Sequence, residues 1–241
     1  MMQLLSLTAM EPPAVFEAER VRDEKIKVYR SLRPFPVDRL DANLVLGQYT
    51  AGEVDGRPVP GYREEPGVAP DSVTPTYAMM KLYLDNWRWQ GVPFYLVSGK
   101  RLPEKRTEID IHFRPVPHSM FRNVLGTDIL ANRLILGIYP EEKIALTFQT
   151  KSPGARVRLR TVTMDFHYYE NTSGAMLDAY EKVLLDGMVG DQTLFWRQDS
   201  VETAWAFLTP ILEACEACGD QGALLHFYPA GSSGPEIAAA L

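Results

Sequence analysis

Cysteine is scarce in this chain, with two in 241 residues. Two cysteines exclude a disulfide framework. They stand as Cys215-Glu-Ala-Cys218. A structural zinc site needs four ligands, and only His226 lies near. A redox Cys-x-x-Cys normally opens a helix, where the dipole lowers the thiol pKa. This pair falls at the end of a helical pattern, just before Gly219, and reads as incidental. Long apolar runs are missing too: none reaches the roughly 18–20 residues of a membrane span. The apolar start has no basic flank and meets Glu11, Pro12 and Pro13, so it does not read as a signal peptide. There is no excess of positive charge, with 25 Lys+Arg against 31 Asp+Glu and a net charge of −6. That balance argues against nucleic acid and anionic membranes as partners. The expected compartment is the cytosol. No Gly-x-Gly-x-x-Gly follows a strand pattern, and no Walker-type loop exists. The glycine-rich Gly231–Pro235 stretch reads as a plain turn.

What is present is a globular composition, 46% hydrophobic, with material for a sizeable core. Residues 3–32 read as helix, proline-broken linker and helix. Residues 47–75 hold most of the glycine and proline and read as one long irregular segment. From Thr76 onward the apolar residues alternate. Met80, Leu82 and Leu84 do so in one run, and Ile109, Ile111 and Phe113 in the next. Ile144, Leu146 and Phe148 form a third, and Val157 and Leu159 begin a fourth. Such runs joined by short turns predict an antiparallel sheet. The end returns to helix. Met176, Ala179, Tyr180, Val183 and Leu184 recur at helical spacing. A capping box is predicted at Asp199 and Glu202, ahead of an apolar stripe of Val201, Ala204, Trp205, Leu208, Ile211 and Leu212. Helices flanking a run of strands, without βαβ alternation, make the class α+β.

Catalytic constellations are sparse. His112, His118, His167 and His226 read singly as surface or satisfied histidines, and no metal site is expected. The Arg156, Arg158 and Arg160 row is expected to pair with acidic neighbours or lie at an interface. The aromatics of Asn86–Tyr95 are expected in the core. The densest charge cluster is Lys100, Arg101, Lys105 and Arg106, straddling a Leu-Pro-Glu turn. Gly99 lets backbone and ligand approach closely. Two ammonium groups offer point charges and rotatable donors to a sugar phosphate. The same residues also describe a solvated hairpin tip neutralised by Glu104 and Glu108. Chemistry alone leaves both readings open.

Several motifs occur in order: LTAMEPP, VRDEKIKV, LGQY, GYREEPGV, DNWRWQGVPFYLVSGKRLPEKRTEI, LFWRQDSVETAW and YPAGSSGP. They resemble the C-terminal two thirds of NADP-dependent glucose-6-phosphate dehydrogenases, from Gln3 to Leu241. The resemblance implies a single α+β domain over residues 1–241. It implies a large, mostly antiparallel sheet with helices packed on one face. The other face would carry a homodimer or homotetramer. It implies that Lys100 and Lys105 contact glucose 6-phosphate, while Arg101 and Arg106 are rim or ion-pair residues. The family's general-base histidine would immediately precede Met1, so no catalytic residue is expected within this chain. NADP would be held mainly by a Rossmann domain that is also absent from it. The isolated chain is therefore expected to be inactive.

Two departures stand inside the matched region. Where many members have Arg-x-Gln-Pro, this chain has Gly137-Ile138-Tyr139-Pro140, so Tyr139 replaces a sugar-contacting Gln and, through its hydroxyl, is the third expected substrate contact. Positions that hold a second, structural NADP through arginines in some animal members are Val97, Asp110 and Gly137 here. No structural NADP site is expected. Beside the reading as part of a dehydrogenase stand two alternatives. One is a free-standing, non-catalytic homologue that dimerises with or regulates a full-length enzyme. The other is a sugar-phosphate-binding module acting alone.

Overall fold

A computed structural model describes residues 1–115, 129–154, 158–169, 178–217 and 224–241. The chain divides into two compact units. One is Met1–Glu104 with Leu177–Leu241, and the other is Lys105–Met176.

The first unit begins with helices α1 (Met2–Ala9) and α2 (Ala18–Arg30), separated by the proline linker as expected. Proline after α1 cannot continue the hydrogen-bond ladder. Helix α2 turns Val21, Ile26, Val28 and Tyr29 inward. The Tyr29 hydroxyl reaches Met2 O at 3.2 Å and Ser6 Oγ at 2.9 Å, which docks α2 on α1. Its ring stacks on Trp196 at 5.5 Å. These helices share a core with Leu44, Met80, Leu82, Leu84, Ala204 and Ile211.

Those last residues come from a sheet and a long helix. Strands β1 (Leu44–Thr50), β2 (Gly52–Val54), β3 (Arg57–Val59), β4 (Tyr77–Leu82) and β5 (Phe94–Gly99) follow α2. The stretch expected to be one irregular loop therefore contains the β2–β3 hairpin and a short 3-10 turn at Tyr62–Glu64. The rest of it is tied down by buried Gln48, whose amide donates to Ser72 O and Thr74 O, both at 2.9 Å.

The second unit holds β6 (Thr107–His112), β7 (Arg133–Tyr139), β8 (Lys143–Lys151) and β9 (Leu159–His167), all antiparallel and in that order. Register sets Ile109 opposite Leu136, Leu134 opposite Leu146 and Ile144 opposite Phe166. One face is thus apolar, and the other carries Asp110, Arg133, Thr147 and Thr163. That is the alternation the sequence predicts. The expected antiparallel sheet is present as two four-stranded sheets among the described residues. A hairpin between β5 and β6 is not formed: β5 pairs with β4 and β6 with β7.

The chain returns to the first unit through α3 (Ala179–Val189), α4 (Gln198–Ala217) and β10 (Leu225–Pro229). Strand β10 lies parallel to β1 at the edge of the first sheet, in the order β10-β1-β4-β5. The capping box sits on α3: the Asp178 N–H donates to Glu181 at 2.8 Å, and the Asp178 carboxylate accepts from Ala179 at 2.6 Å. At α4 the expected box is replaced by an ion pair. Arg197 holds Asp199 through two 2.9 Å hydrogen bonds. Helix α4 buries Ala204 and Ile211, but Val201, Trp205 and Leu212 from the predicted stripe are exposed. Tyr180, Val183 and Leu184 on α3 are exposed as well. Met176, from the same predicted pattern, lies outside the described residues, as do Cys218, Gly219, His118, Arg156 and Val157.

One core residue is out of character. Lys25 on α2 is 1% exposed, and its Nζ has no hydrogen-bond partner among the described residues. Burial, with Arg22 one turn away, holds its pKa below the ordinary lysine value. The folded chain therefore binds this proton less tightly than the unfolded chain. Between the folded pKa and the unfolded value near ~10.4, stability rises with pH. Lys25→Met removes the unsatisfied ammonium. It is expected to raise stability at neutral pH by about 1–3 kcal/mol and to flatten that pH dependence, as read by chemical denaturation.

Candidate functional site

Lys100 stands where β5 leaves the first sheet. Gly99 pairs with Tyr77, and a Cβ at Gly99 would lie 2.8 Å from the Tyr77 ring, so glycine is required for this approach. The Lys100 N–H donates to Thr76 O at 2.9 Å. Its carbonyl accepts the Tyr228 hydroxyl at 2.7 Å. Tyr228 is 1% exposed, and burial pushes its phenol pKa up, so it stays a donor. Arg101 follows with a positive φ of 52°. Its carbonyl accepts the Gly231 N–H at 2.7 Å, and its guanidinium donates to Glu65 at 3.0 Å. Glu65 also accepts the Tyr49 hydroxyl at 3.3 Å. The backbone of 100–101 is thus clamped on both sides. The Lys100 side chain is exposed, and no carboxylate pairs with it among the described residues.

Lys105 and Tyr139 belong to the second unit. A bulge at Thr107/Glu108 places Glu108 opposite Gly137 and Thr107 opposite Tyr139. This brings the end of β7 alongside the approach to β6. The Lys105 ammonium lies 5.2 Å from the Tyr139 ring centroid. Arg106, by contrast, pairs with Glu108 at 3.5 Å. Both arginines of the cluster are engaged by carboxylates. Neither lysine has a carboxylate partner among the described residues.

The other sequence candidates do not assemble into a centre. His112 sits 3.0 Å from Asp110, and His167 2.9 Å from Asp165, each on an exposed strand surface. His226 is a half-buried residue of β10. Among the described residues no group of His, Cys, Asp and Glu could hold a metal ion. Arg158 and Arg160 are exposed and lack the acidic partners expected of them among the described residues. The aromatics expected in the core are split: Trp89 packs into it, while Trp87 is 97% exposed at the turn. A concavity of about 550 Å³ opens on the first unit beside Pro13, Arg20, Asp23 and Arg197. Arg197 already binds Asp199, Glu19 and Asp23, so it has no capacity left for an anion.

The described residues do not fit a dinucleotide. The one parallel strand pair among them, β1 with β10, has no glycine-rich strand–turn–helix crossover to seat a pyrophosphate. At the position of the second site, Asp110 is locked by Arg133 through bonds of 2.8 and 2.6 Å, and its pKa is lowered. A Cβ at Gly137 would meet Glu141 O at 2.8 Å.

Tyr228, Tyr49 and Glu65 were missed as site residues. Each lies in a motif quoted above, yet nothing in its local pattern says that it reaches Lys100 or Arg101. The family model described as glucose-6-phosphate dehydrogenase, C-terminal domain, matches residues 1–241. The chain belongs to this family. Glucose-6-phosphate 1-dehydrogenase of Aggregatibacter actinomycetemcomitans is 47% identical over 238 residues, covering 99% of this chain and 47% of the relative. The Treponema pallidum protein of the same name is 45% identical, covering 98% of this chain and 45% of the relative. A solved glucose-6-phosphate dehydrogenase in complex with its substrate glucose-6-phosphate superposes with a TM-score of 0.85 at 35% identity. It covers 99% of this chain and 47% of that one. The Mycobacterium avium enzyme gives 0.79 at 32% identity, covering 100% of this chain and 46% of that one. The chain spans about half the length of the curated relatives it matches.

Tyr228→Phe deletes the donor to Lys100 O and leaves that carbonyl unpaired. The variant is expected to lose about 1–3 kcal/mol in chemical denaturation. A loss below a few tenths would mean that the clamp on Lys100 is held elsewhere.

Proposed function

We propose that this chain is the sugar-binding and assembly half of a glucose-6-phosphate dehydrogenase. That enzyme oxidises glucose 6-phosphate at C1 to 6-phosphogluconolactone with NADP as hydride acceptor. Lys100 and Lys105 bind the substrate, and Tyr139 lies beside Lys105. The observation that carries the reading is the division of the cationic cluster. Its arginines are consumed by Glu65 and Glu108, while its lysines keep their charge and donors for an anion. The family match over the whole chain supports the substrate class. Hydride transfer and the general base are assigned to the other half of the enzyme, which also holds the NADP. Asp110 already holds Arg133 through both its oxygens, so this position offers a second dinucleotide phosphate no uncommitted cation, and no structural NADP is assigned here.

The two units are read as parts of one domain over residues 1–241. The polar face of the β6–β9 sheet is read as the surface of a homodimer or homotetramer. The compartment is read as cytoplasmic. No helix among the described residues is long and apolar enough to cross a membrane. A free-standing regulatory homologue is not favoured, because relatives of 45–47% identity across the whole chain are named dehydrogenases.

The test joins these 241 residues to the part of the Aggregatibacter enzyme that lies outside the match. The chimera is expected to reduce NADP with glucose 6-phosphate. Lys100→Ala is expected to raise KM about tenfold or more and to lower kcat/KM, the loss of a charge-assisted hydrogen bond. A folded chimera without turnover would overturn the assigned reaction. Unchanged kinetics for the variant would return Lys100 to the solvated surface.

A further inference from the structure

Lys105 is held by something other than a carboxylate, although carboxylates are close in sequence. Glu108 pairs with Arg106 at 3.5 Å. Glu141 accepts from Lys143 at 3.1 Å. Neither of these acids is paired with Lys105, whose ammonium lies against the Tyr139 ring, 5.2 Å from its centroid. The bulge in β6–β7 brings the ring there by setting Tyr139 opposite Thr107, two residues from Lys105. Bulges commonly re-aim a side chain in this way.

We propose that Tyr139 is a positioning residue whose ring face, rather than its hydroxyl, aims the Lys105 ammonium at the sugar phosphate. This rests on the substrate assignment above and gives Tyr139 a different task within it. The physical case has three parts. A free lysine on an exposed surface samples many rotamers, and ordering it on binding costs affinity. The negative face of an aromatic ring attracts a cation and narrows that ensemble before the ligand arrives. A carboxylate would narrow it too, but would neutralise the charge and compete with the incoming phosphate. The ring restrains the ammonium while leaving its charge whole. Of the three N–H donors, one can face the ring and the others stay available.

The ring and the hydroxyl are separated by Tyr139→Phe, which keeps the first and removes the second. Tyr139→Leu removes both. The first readout is NMR of the 241-residue chain with ¹³Cε-labelled lysine, in which Lys105→Arg identifies the Lys105 signal. The Lys105 ε-methylene is expected upfield, shifted by the ring current, in the native chain and in Tyr139→Phe. It is expected near the free-lysine position in Tyr139→Leu. The second readout is KM for glucose 6-phosphate in the chimera. Tyr139→Leu is expected to raise it about two- to fivefold with kcat unchanged, and Tyr139→Phe to match native. An undisplaced Lys105 signal in the native chain overturns the proposal whatever the chimera does. Equal rises in KM for Phe and Leu would assign the effect to the hydroxyl and overturn it as well. A displaced signal, with KM indifferent to both Lys105→Ala and Tyr139→Leu, would instead sink the substrate assignment on which it rests.

Discussion

The hydrogen bond from the Tyr228 hydroxyl to the Lys100 carbonyl fixes the backbone at Lys100, where the first unit's candidate cation stands. It closes a separation of 128 residues. It depends on β10 lying beside β1, because that pairing brings Tyr228 level with Tyr49 and against Tyr77. The three tyrosines form a small core of their own with Val45 and Ala230. Their hydroxyls are the polar part of that core, and each meets a partner. Tyr49 meets Glu65, Tyr77 meets Met79 Sδ, and Tyr228 meets Lys100 O and Thr76. A buried phenol left without a partner would cost free energy comparable to the packing it contributes. The cluster thus ties side-chain packing to backbone position at one point, the exit of β5. Gly99 and Gly234 are positions where that closeness leaves no room for a side chain, since a Cβ would fall 2.8 and 2.6 Å from the Tyr77 ring.

A second constraint is the way the four cations are divided. A planar guanidinium matches a carboxylate, and its fork loses less freedom on binding than a flexible ammonium does. In a cluster that also holds acids, arginines are therefore the residues consumed by internal pairs. Arg101 goes to Glu65 and Arg106 to Glu108. What remains is two ammonium groups with short-range charge and rotatable donors. On each unit, then, the arginine of the cluster is paired with a carboxylate, and among the described residues the lysine is not.

The second unit's sheet imposes its own polarity. Register places Asp110 diagonally from Arg133, and the pair is bidentate. That interaction sits on the polar face, away from Ile109, Leu134 and Leu146. It fixes the charge at Asp110 as already compensated. A phosphate approaching there would meet a carboxylate whose cation is committed, and drawing Arg133 away would leave Asp110 unpaired. The same face carries a Thr147–Thr163 hydroxyl contact at 3.0 Å and the His167–Asp165 pair. Ile135 and Ala145 share this face with those paired polar groups.

Much of this was legible in the sequence because it follows from periodicity. The alternation in 107–112, 143–149 and 159–161 predicted the strands, and their two faces follow from register alone. The proline pair after α1 marked the helix end. What was not legible depends on which strands pair. The Lys100–Arg106 stretch looked like a hairpin tip because two alternating runs flank a Leu-Pro-Glu turn. Local pattern carries no information that β5 takes β4 and β6 takes β7. The 47–75 stretch looked irregular because its strands are only three residues long, too short to show alternation. Trp87 and Trp89 stand two residues apart in one aromatic motif, yet one is fully exposed and the other donates its indole N–H to Ala9 O at 2.9 Å. That difference is set by the turn, in which Asn86 accepts the Trp89 N–H at 2.9 Å, and by the distant α1. The lysines were legible as a charge cluster, but the pairing of their arginine neighbours and the Tyr139 contact were not. These involve Glu65, thirty-six residues from Arg101, and a bulge that only the paired strands reveal. The chemistry of the site was thus written locally, while its geometry was set by contacts distant in the chain.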